Sequence, residues 1–278
     1  MEKGRKNSSW CRLVPRRDSL SRRALDRYSA TMVRAIRIVL VNTSHPGNIG
    51  AVARAMKTMG LDELWLVAPR TFPHAEATAM AAGAHDLLAK AHVCASVDEA
   101  LTGCRLVVGS SVRLRAISWP QLDPRAAAAE LVTTAADGPV ALLFGPERAG
   151  LCNEDLDRCQ ALVSIPANPE YGSLNLASAV QVLAYEIRVA SLTAEAPIPP
   201  SAADHLAATA DEIEGFFAHL EQTLLAIDFI NPARPGRVLR RLRRMFARAR
   251  PEEDEIRILR GILTQVDKCT RRTGGGAL

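Results

Sequence analysis

The sequence predicts an α/β protein, a parallel sheet with helices on both faces, followed by a small all-helical unit. Three observations carry this. Short runs of branched apolar residues alternate with stretches of helical periodicity between residues 36 and 190. Turn clusters rich in Gly, Asn and Pro sit at the ends of those runs. A proline-bearing break at 194–203 then precedes a region whose periodicity is helical throughout.

Residues 36–41 (IRIVLV) are the kind of β-branched run that is buried on both faces of a parallel sheet. After the turn cluster 42–48, Ile49, Val52, Ala53, Met56 and Met59 share one helical face, and Gly60 is the stop. Arg54 and Lys57 project off that face. Further strands are expected at 64–67, 92–95 and 106–109, with helices at 75–91 and 96–101 between them. Ser96-Val97-Asp98-Glu99 is a capping box for the second of these helices. Asp123 and Pro124 open a helix to 135, because proline suits a first helical position that needs no N–H. The fifth strand, 140–144, runs into Gly145-Pro146-Glu147-Arg148-Ala149-Gly150-Leu151, and a short helix at 154–159 and a sixth strand at 162–165 follow. Asn168-Pro169-Glu170-Tyr171-Gly172 then turns the chain into a long helix capped by Ser173 or Asn175, with Leu176, Val180, Leu183 and Ile187 on its buried face.

Beyond the break, 204–228 is acidic and amphipathic with no Lys or Arg. Residues 234–250 carry eight arginines and no acid, and a third helix is expected at 252–266. The arginine helix has two readings, a solvated face docked on its acidic neighbour or a surface that contacts phosphate.

At 278 residues the chain supports one large domain plus a small one. No apolar run approaches the ~20 residues of a membrane helix. The six cysteines (Cys11, Cys94, Cys104, Cys152, Cys159, Cys269) show no metal-ligand spacing, so ordinary thiols in a reducing, cytoplasmic compartment are expected. The net charge of +5 is local, since residues 1–31 hold nine basic and three acidic residues and the remainder is near neutral. Bulk basicity therefore says little about nucleic acid. Residues 1–33 have no apolar signal core and read as a basic, disordered extension, with Met32 as an alternative start.

A strand, a glycine-bearing turn and a helix open the domain, which suggests a nicotinamide site, but the spacing excludes it. Aligning Gly47 and Gly50 with the last two glycines of G-x-G-x-x-G puts His45 at the first, and Ala68 stands where an acid would hold a ribose. No P-loop, zincin or G-x-S-x-G pattern is present, and the six histidines are scattered. In such a sheet ligands bind at the carboxyl ends of the strands, which here means the loops 109–111, 145–147 and 168–173. The last of these ends on a helix N-terminus, where free N–H groups converge.

Four segments in one order are specific as a set: NTSHPGNIGAVARAMKTMGL (42–61), LVVGSS (106–111), LLFGPERAGL (142–151) and IPANPEYGSLNLASAVQV (165–182). Together they resemble the motifs of the SPOUT class of RNA methyltransferases, and within it the enzymes that methylate the ribose 2′-hydroxyl of cytidine and uridine in bacterial tRNA. The resemblance covers 35–190. FFAHLEQTLLAIDFI and LRRLRRMFARARPEEDEIRILRGIL are similar to the C-terminal extension of the same enzymes. It implies a SPOUT-type parallel sheet with a C-terminal trefoil knot over 34–193, a linker at 194–203 and a helical C-terminal domain at 204–278.

The implied cofactor is S-adenosylmethionine, held by Ser110, Ser111, Val112, Gly145, Ile165, Gly172, Ser173 and Leu174. Gly172 stands where the class has serine, which leaves backbone contacts there. Arg54 matches the class's essential arginine, and Ser173 joins it in the catalytic set. Asn48, Glu147 and Asn175 are implied near the substrate, Glu147 as a holder of loop backbone more than as a base, and Arg240, Arg243 and Arg244 toward RNA. The implied partners are tRNA and a second copy of the chain, with the site at the subunit interface and no metal or membrane involved. The expected product is a 2′-O-methylpyrimidine at position 32 of the tRNA anticodon loop. Core motifs do not report substrate choice, so a ribosomal RNA substrate and a non-catalytic RNA-binding module remain as alternatives.

Overall fold

The apolar runs become the middle of a single sheet. The structure, a computed structural model, describes residues 33–111, 119–193, 206–231 and 236–274. Its first part runs β1 (Ile36–Val41), α1 (Pro46–Met59), β2 (Glu63–Val67), α2 (Ala75–Ala81), α3 (His85–Lys90), β3 (His92–Cys94), α4 (Val97–Leu101), β4 (Leu106–Ser110), β5 (Gln121–Leu122), α5 (Pro124–Thr134), β6 (Val140–Phe144), α6 (Asn153–Leu156), β7 (Ala161–Val163) and α7 (Leu176–Thr193). The seven strands are parallel, in the order β3-β2-β1-β6-β4-β7-β5.

Strand alternation divides the core in two. Ile36, Ile38 and Leu40 of β1, with Leu106, Val108, Leu142 and Phe144, face a layer in which α7 packs on α1 and α5. Val39, Val41, Val107, Ala141 and Leu143 face the opposite layer, with Leu101 of α4 and Leu156 of α6. Because both faces are covered, β1 and β6 are apolar at nearly every position, as parallel central strands must be. Gly50 sets the α1–α2 spacing, since a Cβ there would lie 2.0 Å from the Ala77 carbonyl oxygen.

Three details depart from the sequence reading. The helix expected at 75–91 is two, broken where Ala82 and Gly83 take left-handed backbone. A seventh strand, β5, adds two residues to the sheet edge, paired with Leu162 and Val163 of β7. The last helix runs well past 266. Residues 1–32 of the expected extension 1–33, Val112 and the expected linker at 194–203 lie outside the described residues, while Val33 is buried in the core.

The second part comprises α8 (Ala210–Ala226), α9 (Gly236–Ala249) and α10 (Glu253–Gly274). Phe216, Phe217 and Ile256 are buried in a separate small core, and Phe246 of α9 packs between the two phenylalanines. Asp267 extends α10 by accepting from Thr223 at 2.8 Å and lying 2.9 Å from His219 Nε2, both on α8. This part rests on the amino-terminal ends of the strands. Ala210 N–H donates to the Cys104 carbonyl at 2.8 Å, and Arg105 donates to the Ala207 carbonyl and to Glu253 at 2.6 and 2.9 Å. Arg158, just before β7, binds Asp98 of α4 through both guanidinium ends at 2.8 and 3.0 Å.

Candidate active site

At the carboxyl ends of β4, β6 and β7 the chain leaves a cleft of about 140 Å³. Three loops build it. Ser110 and Ser111 close β4, and the Ser111 N–H is fixed by the Val163 carbonyl of β7 at 3.0 Å. After β6, Phe144 and the segment 145–150 form a second wall. Ile165, Ser173, Leu174 and the first turns of α7 at Leu176 and Ala179 complete the third.

Gly145 is the tightest point of this cleft. The 145–151 loop folds back on itself, held by a Gly150 N–H to Pro146 carbonyl bond of 2.8 Å. A Cβ on Gly145 would stand 2.2 Å from the Gly150 carbonyl carbon and the Leu151 nitrogen, so no side chain fits. The gap is therefore lined by backbone, which suits the close approach of a flat ligand. Apolar Phe144, Ile165, Leu174 and Leu176 face the same space as the serines, a mixture suited to a ligand with an aromatic and a polar end.

Of the expected cofactor residues, Ser110, Ser111, Gly145, Ile165, Ser173 and Leu174 line this cleft. Gly172 lies just outside the lining, with a Cβ position 3.2 Å from the Asn168 carbonyl oxygen. Pro146, within the expected loop 145–147, lines it too, and Arg148, Ala149, Gly150 and Ala179 line it without having been singled out. The motif LLFGPERAGL held most of them, yet the backward turn that brings 146–150 beside Gly145 is tertiary geometry.

Glu147, itself in the cleft wall, anchors the segment 44–48. Its carboxylate accepts from the Ser44 hydroxyl and N–H at 2.6 and 3.1 Å, from the His45 N–H at 3.2 Å, and from Asn48 Nδ2 at 2.8 Å. Asn175 caps α7 by accepting from the Ala177 N–H at 2.9 Å, and its own Nδ2 donates to Asn48 Oδ1 at 3.2 Å. The start of α1 is thereby pinned to the β6 loop and to the start of α7. Burial works to raise the Glu147 carboxyl, but the hydrogen bonds from Ser44, Asn48 and backbone N–H groups outweigh it and bring it down to about 2. Glu147 is thus a carboxylate that holds backbone. Arg54, two turns into α1, is exposed, lies outside the cleft lining and makes no ion pair among the described residues.

This clamp has a pH signature. The Glu147 value lies below the ordinary 4.5, so its stabilisation is complete above that pH and fades as pH falls toward 2. Glu147→Gln should cost about 1–2 kcal/mol at neutral pH, reduced by solvent screening, and should flatten the fall in melting temperature between about pH 5 and 2. Melting curves for the two proteins that run parallel over that range would contradict the assignment.

The SpoU rRNA methylase family matches residues 35–185, the whole of the sheet and most of α7. The chain belongs to the SpoU methylase family. A second match, to the C-terminal domain of the tRNA methyltransferase TrmJ, covers residues 211–275 and hence α8 to α10. The tRNA (cytidine/uridine-2'-O-)-methyltransferase TrmJ of Escherichia coli strain K12 is 55% identical over 247 residues, covering 85% of this chain and 97% of that protein. The corresponding protein of Klebsiella pneumoniae is 54% identical over 240 residues, covering 85% and 98%. Among solved structures, TrmJ from Z. mobilis ZM4 superposes with a TM-score of 0.73 at 37% identity, over 83% of this chain and 98% of that one. In this SpoU methylase the four sequence segments thus converge on one end of the sheet. Among the described residues, no helix is long and apolar enough to cross a membrane, and no group of three or more His, Cys, Asp or Glu is placed to hold a metal ion.

Proposed function

We propose that this chain is an S-adenosylmethionine-dependent tRNA (cytidine/uridine-2'-O-)-methyltransferase that acts at a pyrimidine of the anticodon loop. The observation that carries the reading is the Gly145 cleft, in which three of the four segments that mark the family meet and in which backbone, apolar and hydroxyl groups line one gap, while the fourth is tied to its rim through Glu147. The TrmJ relatives, at 55% identity over nearly their full length, support tRNA as the substrate in preference to ribosomal RNA.

S-adenosylmethionine would supply a methyl group already activated on a sulfonium. Ile165 and Leu174 would face the adenine, while Ser110, Ser111, Ser173 and the backbone around Gly145 and Gly172 would hold the polar parts; the resemblance adds Val112 to this set. Transfer of that methyl group to the 2′-oxygen would need an in-line approach, so the alignment these residues impose would lower most of the barrier. A guanidinium offers donors and no acceptor, so Arg54 is assigned no role as a base. Its planar fork would hold an RNA phosphate and the 2′-oxygen as negative charge develops, while the hydroxyl proton leaves to a phosphate oxygen or water. Ser173 orients the reacting groups from the cleft side, and the Glu147–Asn48–Asn175 network sets where α1, and so Arg54, stands.

The unit 34–193 would be the methyltransferase domain and 204–278 a helical domain joined to it by the linker, working in the cytoplasm. The trefoil knot implied by the motifs belongs to this reading, and the sheet order, with β7 between β4 and β5, is compatible with it. A homodimer is supported by an apolar stripe on α7: Val182, Tyr185, Val189 and Leu192 recur at three- and four-residue intervals and are 36, 53, 36 and 59% exposed. Arg54, off its own cleft, would then serve the cleft of the partner subunit.

Tyr185→Asp should convert the dimer to monomers in analytical ultracentrifugation and lower activity at least ~10-fold, since an isologous face carries each substitution twice and would bury two charges. A dimer that stays intact and fully active would place the interface elsewhere. For the function itself, calorimetric titration with S-adenosylmethionine should show one saturable site per chain. A chain that binds tRNA but no cofactor would be a non-catalytic RNA-binding module.

A further inference from the structure

The third wall of the cleft carries an aromatic ring that the fold does not use. Ile165, Ser173 and Leu174 line the cleft, and the turn that joins them does not. Residues 166–171 are all exposed, so this turn stands out from the wall. Its Tyr171 is 85% exposed, and its side chain makes no hydrogen bond or ring contact among the described residues. Phe144, the other aromatic residue of the cleft loops, is buried.

The backbone beneath that ring is set by two hydrogen bonds. Asn168 accepts from the Glu170 N–H through its side chain and from the Tyr171 N–H through its carbonyl, both at 3.0 Å. Two residues span at most about 7 Å, which keeps Tyr171 at the rim beside Ser173. A tyrosine has only two side-chain torsions to fix, so it offers a flat face to a ligand at small entropic cost. A solvated turn gains nothing from such a ring, and a small polar residue would serve it as well.

We propose that Tyr171 stacks on the base of the nucleotide whose ribose is methylated, and so holds that nucleotide out of its RNA loop with the 2′-oxygen at the cleft. The inference rests on the reading of the chain as a tRNA ribose methyltransferase and adds how the target base is recognised. Methyl transfer touches only the ribose, yet the nucleotide must leave its stacked neighbours to bring the 2′-oxygen to the cleft. An aromatic platform replaces the stacking lost in that step. The platform also accepts either pyrimidine. Hydrogen bonds to the base edge would separate cytidine, with an amino donor, from uridine, with a carbonyl acceptor, whereas both present a π face.

The test follows single-turnover methylation by the full-length wild-type chain and by Tyr171→Phe, Tyr171→Leu and Tyr171→Ala. Each is given S-adenosylmethionine with an unmodified tRNA, or with the same tRNA lacking only the base of the methylated nucleotide. On the intact tRNA, Tyr171→Ala and Tyr171→Leu should slow methyl transfer about 10- to 100-fold, while Tyr171→Phe keeps the ring and stays within ~3-fold of wild type. Affinity for S-adenosylmethionine and for tRNA should change less than ~3-fold, and sedimenting mass and melting temperature should match wild type. On the abasic tRNA, Tyr171→Ala should run within ~3-fold of wild type, because the missing ring has no base to hold. Equal slowing on both tRNAs would overturn the proposal, and so would a Tyr171→Leu chain as fast as wild type. A loss of cofactor affinity or a change in mass would also overturn it, by placing the ring against the cofactor or a second chain. A wild-type chain that methylates no tRNA would instead strike the proposed function, and this inference with it.

Discussion

Arg54→Ala should lower kcat about 1,000-fold or more while S-adenosylmethionine affinity changes less than ~2-fold, because the arginine acts on charge that appears in the transition state. Its surroundings support this separation. Arg54 is exposed on α1, outside the cleft lining and without an ion pair among the described residues, so its removal breaks nothing that holds the fold. Arg54→Lys keeps the charge but loses the planar fork, and should recover only a small part of the rate. A lysine variant that methylates tRNA at the wild-type rate would sink the bidentate clamp. The same substitution tests the shared site. Mixing Arg54→Ala chains with chains defective in the cleft should restore activity to about one quarter of wild type, since half the dimers are mixed and each has one complete site. No recovery after subunit exchange would mean that each site is built within one chain.

The cleft defect comes from Gly145→Ala, the second large effect. One methyl group would sit 2.2 Å from backbone atoms of Gly150 and Leu151, and backbone cannot swing aside as a long side chain can. The 145–151 loop must open, which removes the wall beside Ser110 and Ile165. S-adenosylmethionine affinity should fall at least ~100-fold, with a stability loss of about 1–3 kcal/mol from overpacking. Gly172→Ala is the control. Its Cβ would lie 3.2 Å from the Asn168 carbonyl oxygen in an exposed turn that can give by a few tenths of an ångström, so affinity should change less than ~3-fold. Equal losses for both variants would show that the narrow point of the cleft is elsewhere.

Much of the sheet is legible in the sequence because central parallel strands are apolar at nearly every position. The runs at β1 and β6 are unmistakable for that reason. Strand β5 is not, since two residues carry no periodicity and its pairing with β7 joins residues some forty apart. The break at Ala82 and Gly83 hides in an alanine-rich stretch where helical periodicity can be read straight through. Helix α10 outruns its apolar face because polar Asp267 is held by His219 and Thr223 of α8, a partnership between distant residues.

The cleft residues are similarly divided. Ser110, Gly145, Ile165 and Ser173 were marked by motif, whereas Arg148, Gly150 and Ala179 arrive through the loop's backward turn and the rotation of α7. Residues 234–250 show eight arginines in one stretch, six of them in α9, and the acids that claim Arg240 and Arg243 lie tens of residues earlier. Which arginines remain outward follows from that packing.

The most direct test of the account is to incubate unmodified total tRNA with methyl-labelled S-adenosylmethionine and the purified chain, digest the tRNA to nucleosides, and map the labelled one. The account predicts label in 2′-O-methylcytidine or 2′-O-methyluridine from the anticodon loop, absent when Arg54→Ala replaces the wild type. Label on a base, or on ribosomal RNA but not on tRNA, would contradict it.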